Sequence, residues 1–311
     1  MSGKIRGAIL CLLGAMCWGA SGTMGQYLFS VEKMDSKWLV PIRLEMAGII
    51  LFVYCLVNYR DKLFEPFKNI RDLVLMLGYG ILGVTFSQFT YFFTIQYSSA
   101  GVGTIMQDLS PVLILLITSA MEKRLPHLKE ISAVVLAIVG VFLIVTHGDV
   151  ASFKVPPIAI FSGLACALCV SIYNILTTPL TKHRGYPVLV LQTWSFVLGG
   201  IIMGLIFRPW TYYYVPTAMG YVGIATVVIV GNLMAFSLYI SGVSEIGANL
   251  GILYSFAEPL SAAILSTIIF KEPFTCYDAF GFVIIFVMLF LISGLRIKLP
   301  NKGSQKQNSE A

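Results

Sequence analysis

The sequence predicts an all-α integral membrane protein with ten transmembrane helices arranged as two inverted five-helix repeats. Three observations predict it. The 311 residues are 57% hydrophobic and 12% charged, where a soluble domain carries about 25% charged residues, and the mean hydropathy is +0.84. Apolar runs approaching the roughly 20 residues needed to span a bilayer recur along the chain. The second half also repeats features of the first.

The ten runs are 5–28, 38–57, 72–95, 100–121, 129–147, 157–179, 187–207, 217–240, 246–270 and 274–296. The first follows Lys4 and Arg6 and is too long for a signal-peptide core, so it is expected as an uncleaved first helix. With the N-terminus inside, fifteen of the 21 basic residues fall on the cytoplasmic side. They include Arg60, Lys62, Lys68, Arg71, Lys123, Arg124, Lys129, Lys182 and Arg184. Five fall outside, at Lys33, Lys37, Lys154, Arg208 and Lys271, and Arg43 lies within a run. This bias predicts cytoplasmic N- and C-termini in a plasma or inner membrane. The net charge of +6 resides in loops and reports orientation, not nucleic-acid binding. Trp210 and the tyrosines of "RPWTYYY" (208–214) read as an interfacial belt.

Pro111 and Pro259 sit near the middle of runs 4 and 9, 148 residues apart. Glu122 and Glu272 close those runs with a separation of 150, which requires a short indel. "AMCWGAS" in run 1 answers "ALCVSIY" in run 6 at 152. An odd number of spans per half makes the second half enter the membrane from the opposite side, the pattern of secondary transporters with a site at the midplane. The expected units are 1–148, 149–297 and a disordered cytoplasmic tail, 298–311.

"AMCWGASGT", "IRLEMAGIILF" in run 2, "LSP" with "EKR" in run 4 and "AEPLSAAILSTIIFKE" in run 9 resemble the EamA-type transporters of the drug/metabolite transporter superfamily. The resemblance covers nearly the whole chain. It implies ten helices, inverted halves and a central cavity lined by the first four helices of each half. It also implies peripheral helices 5 and 10 that could serve a homodimer, and export of amino acids and other small metabolites.

Four ionisable residues interrupt the runs: Arg43, Glu45, Asp108 and Glu258. A charge at the bilayer centre costs about 2.5–3.5 kcal/mol on insertion scales and marks function by default. Glu45, two residues from Arg43 and off its face, reads as structural. The resemblance places an arginine at Arg43, where it could pair with a cavity acid. Asp108, with Gln107 beside it and Thr104 one turn earlier, forms a polar patch suited to a wet cavity.

In run 9, Gly247, Gly251, Tyr254, Glu258 and Ala262 share one helical face, so Glu258 should point into the bundle. In run 1 the stripe Gly7, Cys11, Gly14, Trp18, Gly22 and Gly25 has Trp18 as its one large residue. Gln88 and Tyr91 in run 3, Tyr173 in run 6, and Asn232 and Tyr239 in run 8 add aromatic and amide groups. The expected substrate cavity is therefore Trp18, Gln88, Tyr91, Gln107, Asp108, Tyr173, Asn232, Tyr239, Tyr254 and Glu258. Pro111 and Pro259 would bend its helices. Such a lining suits a small amphipathic or zwitterionic solute, with a proton as a candidate coupling partner at Glu258.

Nothing points to catalysis: there is no H-E-x-x-H, nucleophile elbow or phosphate-binding glycine loop. No cofactor or metal is expected. Cys166 and Cys169 form a C-x-x-C inside an apolar run and read as packing residues. A nucleotide-sugar or sugar-phosphate exchanger would share the architecture but should carry a cluster of intramembrane Lys or Arg, and only Arg43 is present. An intramembrane enzyme or receptor subunit is the alternative from another class.

Overall fold

The computed structural model describes residues 3–125, 127–146, 155–212, 214–246, 251, 254–255, 257–271 and 274–298. Gly247, His147, Lys154, Glu272 and the tail beyond 298 lie outside them. Every described regular element is helical. Seven helices are long and apolar enough to cross a membrane: α1 (Lys4–Ser30), α2 (Ser36–Asn58), α3 (Ile70–Tyr97), α4 (Ala100–Met121), α6 (Pro157–His183), α7 (Val188–Phe207) and α8 (Ala218–Val243). Three shorter apolar helices complete the described set: α5 (Glu130–Ile144), α9 (Ala257–Phe270) and α10 (Cys276–Met288). Each of the ten runs thus contains a helix.

Local chemistry sets the helix starts. Asp35, Asn69, Ser99 and Thr217 cap α2, α3, α4 and α8 with side-chain oxygens that accept backbone N–H groups. Those N–H groups have no partner within a helix. Glu130 and Asp278 close the starts of α5 and α10 by accepting the His127 and Thr275 N–H groups.

Described helices depart from regularity in four places, one of them the π-type last turn of α6 at Pro179–His183. In α3 and α8 the chain widens into π-type turns over Gly78–Thr85 and Val227–Met234, and such turns re-aim the side chains that follow. In α4 the helix pauses at Asp108 and Leu109 and resumes at Ser110–Pro111. Proline there removes one backbone donor and tolerates only a first-turn position.

The helices pack in two groups that cross the boundary between the sequence halves. α1 runs along α8 and against α9, while α6 runs along α3 and against α4. α2 lies along α7, and α5 along α10. Small residues permit these approaches: a Cβ at Gly14 would meet the Ala235 carbonyl at 2.8 Å, and one at Gly83 would meet Tyr173 Cβ at 2.5 Å. The stripe on α1 is thus mainly a packing surface for α8 and α3. Cys166 donates to the Ser87 carbonyl, and the described cysteines are free, consistent with packing roles.

Candidate functional site

A cavity of about 500 Å³ lies between the two helix groups. Trp18 and Ser21 of α1, Asn232, Phe236 and Tyr239 of α8, and Ser255 and Glu258 near α9 form one wall. Gln88, Tyr91 and Phe92 of α3, Gln107, Asp108, Ser110 and Pro111 of α4, and Tyr173 and Asn174 of α6 form the other. Arg43 of α2 and Gln192 of α7 also line it.

The cavity gathers nine of the ten residues expected from sequence, together with Arg43 and Pro111. Tyr254 is half-buried but does not line it, so the face shared with Glu258 does not carry Tyr254 into the cavity. Pro259 is buried in α9 beside Glu258 and is not part of the lining. Glu45 lies outside it, against Gly200 and Gly204 of α7. Sequence reasoning missed Gln192, Tyr79, Ser21 and Ser255. Gln192 carried a signal, as an isolated amide in an apolar run. The two serines carried none, because a serine in a membrane helix ordinarily bonds back to its own carbonyls.

Trp18 stacks against Phe236 at 5.3 Å and Tyr239 at 5.1 Å, so one end of the cavity wall is a rigid aromatic cluster. Arg43 is 2% exposed. Its guanidinium donates to the Asn232 side-chain carbonyl and lies 4.1 Å from the Phe92 ring centre. No carboxylate pairs with it among the described residues. Among the described residues Arg43 thus meets an amide and a ring and forms no ion pair with Asp108 or Glu258.

The two ends of the cavity differ. It reaches Tyr79, Ile114, Thr177, Val188 and Val243, the ends of α4, α6 and α8 and the starts of α3 and α7. At the opposite end, Gln26 Oε1 of α1 accepts from the Ala100 N–H at 2.8 Å and the Ser266 hydroxyl at 3.0 Å, tying α1 to α4 and α9. Gln96 Oε1 accepts from the Ser36 N–H at 2.9 Å, and Trp38 packs on Tyr214 at 5.2 Å. Glu32 accepts from Thr217 at 2.6 Å. At the wider end the α6–α7 connection is held to α3: Arg184 pairs with Asp72 at 3.0 Å, and the Tyr186 hydroxyl donates to Asp72 at 2.7 Å. Burial, and then that hydrogen bond, raises the Tyr186 phenol to about 12, so it remains a donor at neutral pH. Arg124 forms a forked pair with Glu130 at 2.8 and 3.0 Å and a second pair with Glu122 at 2.7 Å, which accounts for Glu122 as a helix-end charge.

No group of three or more potential metal ligands occurs among the described residues. The arrangement is a solute-sized, mixed aromatic and polar chamber within a bundle of membrane-length helices.

Comparison with known proteins gives that chamber its context. The chain is 31% identical over 293 residues to the uncharacterized inner membrane transporter YicL of Salmonella typhimurium, covering 94% of this chain and 97% of that protein. It is 24% identical to the uncharacterized transporter YetK and 21% to the uncharacterized transporter YyaM, both of Bacillus subtilis, each over 96% of this chain and at least 90% of the relative. One solved crystal structure superposes over 94% of this chain and 99% of its own with a TM-score of 0.61 at 15% identity, a likeness of fold alone. The EamA-like transporter family matches residues 5–146 and again 157–294. With membrane-length helices around a solute-sized chamber and a family match over nearly all its length, the chain belongs to the EamA-like transporter family and is a membrane transporter.

Proposed function

We propose that this transporter is an exporter of small amphipathic metabolites such as amino acids, working by alternating access across the inner membrane with both termini in the cytoplasm. The observation that carries the reading is the chamber between two helix groups, whose lining extends toward one end of the bundle while Gln26 ties α1, α4 and α9 together at the other. The wider end carries Lys62, Arg71, Lys123, Arg124 and Arg184, so the charge bias makes it cytoplasmic. The name of the Salmonella relative supports the inner membrane.

In this reading ten helices span as two inverted repeats, residues 1–148 and 149–297. Several paired features support it. The family matches the chain twice, once in each half. The π-type turns start at Gly78 and Val227, 149 residues apart. Lys123 and Lys271 both leave their helices in left-handed conformation, 148 apart, the same separation as the two prolines. That register places Arg124, not Glu122, opposite position 272, and removes the need for an indel there. Lys33 and Gly185 show a left-handed pair at 152, the separation of the run 1 and run 6 motifs.

Contacts pair in the same way. Gly83 meets Tyr173 as Gly231 meets Ser21, and Ser171 bonds the Ser110 carbonyl where Gly19 approaches the Glu258 carbonyl. Rocking of the α1–α8–α9 group against the α6–α3–α4 group, about α2 and α7, would move the opening from one side to the other. The moving bodies are then not the sequence halves, because α1 and α6 are exchanged between them. A sugar-phosphate exchanger is disfavoured, since Arg43 is the one basic residue lining the chamber among the described residues.

Reconstitution tests the reading. Liposomes holding the pure protein should release a labelled amphipathic solute, from a panel of amino acids and amines, faster than empty liposomes. Absence of flux for every solute, from a protein shown to be folded, would refute it.

A further inference from the structure

Among the described residues, the chamber contains a charged group with no ion-pair partner and several buried polar atoms with no hydrogen-bond partner. Arg43 is fully surrounded, yet its Nε and Nη1 lack hydrogen-bond acceptors. Around it, the Tyr91 hydroxyl and the Asn232 Nδ2 are likewise buried and unpartnered. Asn232 already accepts from Arg43, and that bond turns its amide nitrogen outward as a further donor. Asp108 and Glu258 line the same chamber without forming an ion pair to Arg43.

A buried guanidinium costs several kcal/mol unless it is paired, and an unmade bond at a buried donor costs about 1–3 kcal/mol. An element that keeps four such donor atoms, on three residues, together is incomplete by itself. The neighbouring Phe92 ring offsets only part of the charge. What the cluster lacks is an acceptor-only group with two oxygens, which a carboxylate supplies and which a guanidinium receives in a forked geometry.

We propose that Arg43, Tyr91 and Asn232 form an anion subsite that takes the carboxylate of the transported solute. This assignment rests on the transport reading and deepens it. A single guanidinium, with two carboxylates on the same chamber, suits a monoanionic carboxylate and opposes a dianionic phosphate. Asp108 and Glu258, on the same chamber, then select a cationic or hydrogen-donating group elsewhere on the solute. Arg43 and Phe92 lie toward the tied end of the chamber, so the solute would enter carboxylate first from the wider end.

The test measures ligand-induced thermal stabilisation of the detergent-purified full chain, which does not depend on flux. The probes are L-phenylalanine, 3-phenylpropanoate, phenethylamine and phenyl phosphate, which share a ring and differ in the charged group. L-Phenylalanine and 3-phenylpropanoate should bind. Tyr91→Phe, which removes only a hydroxyl, should weaken both by about ten-fold or more while leaving phenethylamine unaffected. Arg43→Gln should abolish carboxylate binding, and Arg43→Lys should restore it in part. If Arg43→Gln fails to fold, Tyr91→Phe and Asn232→Ala carry the decision. Failure of both carboxylates to bind the wild type, binding that none of these variants weakens, or preference for phenyl phosphate over 3-phenylpropanoate overturns the subsite. Liposomes that show no flux while carboxylate binding follows Arg43 and Tyr91 would instead refute the transport reading and leave the subsite standing.

Discussion

α4 and α9 enter the chamber with the same backbone device and different chemistry. Each places a proline after a polar residue near mid-membrane, Ser110–Pro111 in one and Glu258–Pro259 in the other. Ser110 is buried and its carbonyl is bonded by Ser171. Glu258 is 9% exposed and lines the chamber as a carboxylate. The comparison teaches that a proline and a carboxylate can be combined differently on two helices of one chamber. Among the described residues the helix is interrupted in α4, whose chamber carboxylate is Asp108, two residues before Ser110, whereas in α9 the carboxylate of Glu258 stands next to the proline itself.

The largest effect should come from that asymmetry. Glu258→Gln should fold and still exchange solute but lose pH-driven accumulation by about ten-fold or more if the carboxylate carries a proton, or lose binding itself if it holds a substrate amine. Ser110→Ala should leave both nearly unchanged. Flux measured with and without a pH gradient decides, and equal behaviour of the two variants would make Glu258 structural.

The ends of the molecule offer the next contrast. Gln26→Ala removes the acceptor for the Ala100 N–H and the Ser266 hydroxyl, each costing about 1–3 kcal/mol when left buried and unbonded. It should loosen the tied end and raise the reactivity, from outside, of a cysteine placed at Ser36. Unaltered reactivity would show that this end is not held by Gln26.

A third measurement sharpens the pairing of the halves. Gly83→Ala and Gly231→Ala should each destabilise by about 1–3 kcal/mol, and by similar amounts, because a Cβ would meet Tyr173 Cβ at 2.5 Å in one and the Ser21 side chain, with its Cβ at 2.7 Å, in the other. Thermal unfolding in detergent reads both. A large cost at one site and none at the other would contradict equivalent helix crossings.

The smallest effect belongs to the exposed ties. Glu32→Gln, at the Thr217 contact, should change stability by about 0–1 kcal/mol. The more enclosed Asp72→Asn, which loses both Arg184 and the full acceptance from Tyr186, should cost more.

Much of the architecture was legible from composition. Lipid demands internally bonded backbone and apolar surface, so each run announced a helix without reference to any other. Candidate cavity residues were legible for the same reason: a polar group in an apolar run has few permitted places. Asp108, Gln107, Asn232 and Tyr239 were found in this way and reach one chamber. Tyr254 was chosen by helical spacing alone, and spacing names a face without naming what that face meets. Gln192 carried the same intramembrane signal as Asn232 and belonged with the candidates.

By itself, then, the sequence determined the helical class, the near-150-residue echo and the charged positions that membrane burial makes costly. Only the tertiary structure decided that α1 packs with α8 and α9 and α6 with α3 and α4, across the halves, because that choice depends on how small residues on distant helices fit together. Tertiary packing also decided that Arg43 meets Asn232 and Phe92 and, among the described residues, no carboxylate. The two are 189 residues apart in the case of Asn232, and no local pattern in either helix encodes which partner the other will present.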